Sequence, residues 1–173
     1  MKRKSFVFLG AMLLSFGLPA AIAHADSVEL TINDSAQEIP LSGGTLEFLA
    51  TVSAPSSNAA DVYLNADNYT FSMPGATLDD SPFYDNFPFY LAPGQSYTGE
   101  LFDITVPANT ALGAYDGTFT ILGGADGNTY STLSTADFAV TVTPEPSTLL
   151  LLGSGLFFVA IAFARRQRTA FFR

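Results

Sequence analysis

Phe102-Asp103-Ile104-Thr105-Val106-Pro107, read together with Gly113-Ala114-Tyr115-Asp116-Gly117-Thr118-Phe119-Thr120-Ile121, alternates apolar and polar side chains one for one. A period of two puts Phe102, Ile104 and Val106 on one face of an extended strand and Asp103 and Thr105 on the other; a helix would need apolar residues three and four apart. Tyr115, Phe119 and Ile121 likewise share a face with Gly117, while Asp116, Thr118 and Thr120 point the other way. The same rhythm recurs outward in both directions. Val28, Leu30 and Ile32 alternate with Glu29, Thr31 and Asn33, Leu46, Phe48, Ala50 and Val52 form a second apolar face, and Phe138, Val140 and Val142 form the last. Between these runs lie turn-forming clusters: Ser42-Gly43-Gly44, Ala54-Pro55-Ser56-Ser57-Asn58, Pro93-Gly94, Pro107-Ala108-Asn109 and Gly123 to Asn128. Pro93-Gly94 suits a type II turn, since proline presets one dihedral and glycine accepts the positive one.

Short strands at regular spacing, with no convincing amphipathic helix, predict an all-β domain over residues 26–143, folded as a Greek-key, immunoglobulin-like β-sandwich. Leu91-Ala92-Pro93-Gly94-Gln95-Ser96, taken with the two strands quoted first, resembles the last strands of bacterial extracellular immunoglobulin-like or fibronectin-III-like modules. That resemblance implies an adhesive or structural module and names no ligand.

Charge is segregated along the chain. Of 173 residues, seven are Lys or Arg and sixteen are Asp or Glu, for a formal net charge of −9. Lys2, Arg3 and Lys4 open the chain, Arg165, Arg166, Arg168 and Arg173 close it, and no Lys or Arg lies between. Every acidic residue falls between Asp26 and Glu145. An anionic middle with cationic ends is the layout of a chain whose centre crosses a membrane while its ends stay cytoplasmic.

The N-terminus has the three parts of a secretory signal: the basic Lys2-Arg3-Lys4, an apolar run from Ser5 to Leu18, and Ala23-His24-Ala25 as a small-x-small cleavage site. Residues 1–25 are therefore expected to be a signal peptide, cut after Ala25, with a cut after Ala23 as the second choice. The apolar run is short for an uncleaved anchor, which needs roughly 20 residues. Cleavage would remove His24, the one histidine, and the chain has no cysteine. A mature domain without His or Cys has no disulfide, thiolate nucleophile, Ser-His-Asp triad or imidazole zinc site. No cofactor or metal and no enzymatic activity are expected. Its acidity repels phosphate backbones, so nucleic acid is not an expected partner.

The C-terminal tail, residues 144–173, begins with Pro144-Glu145-Pro146, where two prolines end strand pairing. Ser147 to Ala164 follows as an uncharged, mostly apolar run expected to form a transmembrane helix (147–164), and Arg165, Arg166 and Arg168 then supply a stop-transfer cluster. A Pro-Glu-Pro motif, an apolar helix and an arginine-rich end, in that order, strongly resemble the PEP-CTERM sorting domain. The extension Thr169 to Arg173 departs mildly from that pattern. The resemblance implies recognition by an exosortase, a membrane-embedded thiol peptidase, removal of the helix, and transfer from the inner membrane to the cell surface or an extracellular exopolysaccharide (biofilm) matrix. Signal peptidase and exosortase would be processing partners, and exopolysaccharide a possible later one. The plain alternative is a single-pass anchor that is never cleaved.

Weaker candidates lie inside the domain. Ser81 to Tyr90 holds five aromatics, of which Tyr84 and Phe87 are the candidate sugar contacts of an alternative carbohydrate-binding module; core packing is the bland reading of the same rings. Asp79, Asp80 and Asp85, or Asp126 with Asn128, would be the places to seek a hard cation such as Ca²⁺. Neither matches a known loop pattern, and solvated turn residues are expected instead. Paired-carboxylate glycosidase chemistry in the first cluster is weaker still.

Overall fold

The computed structural model describes residues 27–144 and 148–170. Among the described residues nine strands and two helices follow in chain order: β1 (Glu29–Ile32), β2 (Ala36–Pro40), β3 (Gly44–Ser53), β4 (Val62–Phe71), β5 (Thr77–Asp79), α1 (Ser81–Asn86), β6 (Tyr90–Leu91), β7 (Ser96–Val106), β8 (Gly113–Gly124), β9 (Ser131–Thr143) and α2 (Thr148–Ala170). The strands form two sheets, one ordered β1-β3-β7-β5 and the other β2-β9-β8-β4-β6. Each sheet has one apolar face, and the two faces bury each other, which is the sandwich arrangement the alternation predicts. Sequential neighbours such as β3 and β4 lie in different sheets, as a Greek-key, immunoglobulin-like sandwich requires.

Each apolar face read from the sequence points inward. Val28, Leu30, Ile32, Phe48, Ala50, Val52, Phe102, Ile104, Val106, Phe119, Ile121, Phe138, Val140 and Val142 are all buried. At the centre Phe102 stacks on Phe48 (ring centroids 4.7 Å apart) and on Phe119 (5.1 Å), with Phe138 tilted against it at 4.8 Å. Both sheets contribute to this stack, so it fastens them together across the core. Gly117 makes room for it, because a Cβ there would lie 2.3 Å from Cζ of Phe138, its cross-strand partner. Ala92-Pro93-Gly94-Gln95 closes with Gln95 N–H donating to the Ala92 carbonyl and Gly94 at φ 81°, which is the expected type II turn.

Three bulges depart from strict alternation. The β3–β7 register steps from Phe48↔Phe102 to Leu49↔Glu100, so Leu101 is left over and turns into the core beside Phe102. Opposite Ile121 to Gly123 of β8, Asn65 bulges from β4 and Leu133 from β9. The Asn65 amide donates to the carbonyls of Asp126 and Thr129, both at 2.7 Å, and ties the β8–β9 loop to β4.

The expected signal segment, including Ala23 and Ala25, lies outside the described residues. The aromatic stretch Ser81 to Tyr90 contains a one-and-a-half-turn helix, α1, with Pro82 in its first turn and Phe83 buried. Its cause is local: Asp79 accepts hydrogen bonds from the Ser81 N–H (3.0 Å) and hydroxyl (2.6 Å), and Pro82 has no N–H to leave unpaired at a helix start. Residues expected to span the membrane are helical from Thr148, the first of them described, and Leu150, Leu151, Leu152, Leu156, Phe157, Phe158 and Val159 are exposed. Spanning itself is not found: among the described residues no helix is long and apolar enough to cross a membrane.

Candidate functional site

The sorting tail leaves the sandwich at a defined point. β2 pairs with β9 in parallel, from Ala36↔Ala139 to Pro40↔Thr143, and β8 pairs with the other side of β9, from Gly113↔Val142 onward. The ladder ends at Thr143, where Pro144 removes the next backbone donor; Pro144 is exposed. The sorting residues therefore begin where sheet hydrogen bonding stops, on a strand held from both sides. Glu145 and Pro146, and the side chains of Arg165, Arg166 and Arg168, lie outside the described residues.

The two sugar-contact candidates separate. Phe87 is 8% exposed and packs against Phe83 and Tyr97, with centroids 5.7 and 5.4 Å away, so it presents no open ring face. Tyr84, by contrast, is half exposed, and its hydroxyl donates to Asp67 Oδ1 at 2.6 Å. Burial raises the Asp67 carboxyl above its ordinary range, partly offset by this bond, while nearby Asp80 raises it further. The same burial and the anionic partner push the Tyr84 hydroxyl up to about 12. Asp67 Oδ2 accepts no hydrogen bond. Sequence reading missed this pair because Asp67 sits in a polar run of β4 with no pattern to set it apart. Phe89 and Tyr90 are exposed and lie against Tyr63, with centroids 5.6 and 5.7 Å away; they form a second aromatic surface that the sequence showed only as composition.

Of the candidate cation ligands, Asp79 and Asp126 act as turn caps. Asp79 closes the turn into α1, and Asp126 Oδ1 accepts from the Asn128 N–H (2.9 Å) and the Thr129 hydroxyl (2.8 Å). The Ser81 hydroxyl and N–H lower the Asp79 pKa, and the Asn128 N–H and Thr129 hydroxyl lower that of Asp126. Among the described residues no group of three His, Cys, Asp or Glu is placed to hold a metal ion. The structure does align carboxylates that the sequence leaves far apart: Asp103 of β7 pairs directly with Glu47 of β3 on one side and Asp79 of β5 on the other. A proton on Glu100 can be shared with Asp103, and this, with the surrounding negative charge, raises the Glu100 pKa. No Lys, Arg or His lies between residues 27 and 144 to relieve the row.

Residues 142–168 match the family model described as the PEP-CTERM protein-sorting motif. The chain carries that motif, which implies exosortase-dependent sorting of an exported protein with a membrane-anchored precursor. No curated protein matches the sequence. Among solved structures, an MSP family member of C. elegans is similar at 8% identity and a TM-score of 0.41, over 66% of this chain and 97% of that one. Native alpha-2-macroglobulin from Escherichia coli, from domain MG7 to the C-terminus, is similar at 22% identity and 0.43, over 69% of this chain and 17% of that one. The CARDB domain of a Pyrococcus furiosus protein is similar at 16% identity and 0.34, over 68% and 87%. The fold is defined by the chain's own two sheets.

Proposed function

We propose, for a chain that carries a PEP-CTERM sorting motif, that it is a non-enzymatic surface or extracellular-matrix protein, exported by its signal peptide, held in the inner membrane by residues 147–164, and released by exosortase cleavage close to Pro144-Glu145-Pro146. One observation carries the reading: the motif match over 142–168 begins on the last residues of β9, so the folded domain ends where the sorting signal starts. Cleavage there would free the whole sandwich and cut no strand. The mature domain then acts by adhesion, packing or hydration, for which a stable sandwich with high negative charge suffices. Supporting the non-enzymatic reading, its one histidine lies in the signal segment and it has no cysteine, which leaves carboxylates as the chief acid or base groups.

Replacing Pro144 and Pro146 with Ala, or deleting the exosortase of the native host, is expected to retain a longer form in the membrane fraction while the domain stays folded. Release of the Pro144→Ala/Pro146→Ala protein at the native level would contradict the reading. The exposed Phe89 and Tyr90 favour carbohydrate binding as a second reading, because flat rings stack on sugar faces. Glycan binding lost on Tyr90→Ala would support it, and an inert glycan array would remove it.

A further inference from the structure

We propose that the end of the sandwich from which β9 exits is a lipid-contact surface that rests on the bilayer interface while the precursor is anchored. This rests on the anchored-precursor reading above. β9 ends at Thr143 and α2 starts at Thr148, so the tether is Pro144 to Ser147. At no more than ~3.6 Å per residue it reaches roughly 15 Å. The headgroup region occupies roughly 5–8 Å of that on each leaflet. The end of the domain therefore stands within about 10 Å of the headgroups in any orientation that the tether allows.

The strand register fixes which loops are at that end. Pro40 is level with Thr143, Gly113 with Val142, Gly44 with Val106, and Thr77 with Thr105. The β2–β3 turn (41–43), the β4–β5 turn (72–76) and the β7–β8 loop (107–112) consequently share the exit end. They are braced rather than loose: Asn109 N–H donates to the Leu41 carbonyl (2.8 Å), Gly43 N–H to Pro40 (2.9 Å), and the Thr110 hydroxyl to Pro107 (2.7 Å). Fourteen of the sixteen carboxylates lie within residues 27–144, and none is in these loops; Glu145 lies in the tether itself. Glu38, Asp79 and Asp116 stand further up their strands, and the loops at the opposite end carry Asp61 and Asp126. On the exit end the chain exposes Pro74, Ala108, Ala111 and, more than half open, Leu112.

An acidic domain tethered this closely to a leaflet containing anionic lipid would be repelled by every carboxylate it added there to Glu145 of the tether, because like charges within about a Debye length of ~10 Å are little screened. An uncharged end with an exposed leucine avoids that cost and gains apolar burial in the interface. The short tether, the exposed Leu112 and loops that add no carboxylate thus point to one occupant, the lipid surface.

The chain has no cysteine, so single cysteines can be placed and labelled without background. The full chain would be reconstituted into phosphatidylethanolamine–phosphatidylglycerol vesicles with an environment-sensitive fluorophore at Leu112→Cys, Asn128→Cys or Leu156→Cys. The expected result is blue-shifted emission and quenching by headgroup-level quenchers at position 112, water-like emission at 128, and quenching by acyl-chain quenchers at 156. An additional Ala108→Asp change should return the label at 112 to water-like emission, because it puts a carboxylate on the contact face. A label at 156 in the acyl region with one at 112 as wet as that at 128 would overturn this proposal alone. A label at 156 that acyl-chain quenchers do not reach would instead overturn the anchored reading, and this proposal with it.

Discussion

At the scale of residues, the Asp67–Tyr84 pair joins β4 to α1 through a single hydrogen bond to a half-buried carboxylate. Asp67 is half-buried with one carboxylate oxygen on the Tyr84 hydroxyl and the other without a hydrogen bond, so that hydroxyl is the direct partner of a charge already short of solvent. Tyr84→Phe leaves the carboxylate uncompensated and is expected to destabilise the domain by about 1–2 kcal/mol. Adding Asp67→Asn should recover part of the loss, because it removes the charge that the hydroxyl served. Urea denaturation of the two variants and the double variant measures this. Equal losses in Tyr84→Phe and Tyr84→Phe/Asp67→Asn would contradict an uncompensated charge, and no loss in Tyr84→Phe would show that the bond contributes nothing.

At the scale of elements, the β8–β9 ladder holds the core together, and Gly117 against Phe138 is a close approach within it. A methyl at 117 would meet the Phe138 ring at 2.3–2.8 Å and push it off Phe48, Phe102 and Phe71. Gly117→Ala is expected to cost about 1–3 kcal/mol through overpacking. Gly117→Ala/Phe138→Leu should cost less than the sum of its single changes, a coupling that thermal melts of the four proteins would read. Both residues stand on alternating faces that could be read from sequence, as do the apolar sides of β1, β3, β7 and β9. Other elements were illegible for physical reasons. In β4 the apolar alternation stops after Leu64, because Asn65 bulges and the remainder lies towards the sheet edge, beyond the short β6. β2 has Ile39 alone as a buried anchor, and its parallel place beside β9 depends on a partner about a hundred residues away. α1 is too short for a helical period to show. Phe87 and Tyr84 looked equivalent in sequence; the helix and the chain's extended exit at Phe87 turn the first inward and the second outward.

For the whole molecule, the dominant property is negative charge with no internal cation. The carboxylates of Asp67 and Glu100 have pKa values raised in the folded state, so the native domain binds protons more readily there than the unfolded chain does. Stability from these groups is fully present below the ordinary carboxylate range near 4 and is lost as pH rises through their folded values. Asp79 and Asp126 act in the opposite sense: their lowered values add stability above the ordinary range, and that is lost as pH falls through their folded values. Thermal stability should therefore rise as pH drops from neutral towards the ordinary carboxylate range of about 4, and decline again below it. A Tm that falls steadily from pH 7 downwards would contradict this. The same uncharged exit end and anionic body suit a domain made at a membrane and released from it, and that release is the central claim. Its most direct measurement is mass spectrometry of the protein recovered outside the inner membrane of its native host, comparing peptides that span Glu145 to Leu152 with peptides from the domain. Release by cleavage predicts a mature chain that begins near Asp26, ends close to Pro144-Glu145-Pro146 and lacks the spanning peptides; spanning peptides at the same level as those of the domain would contradict it.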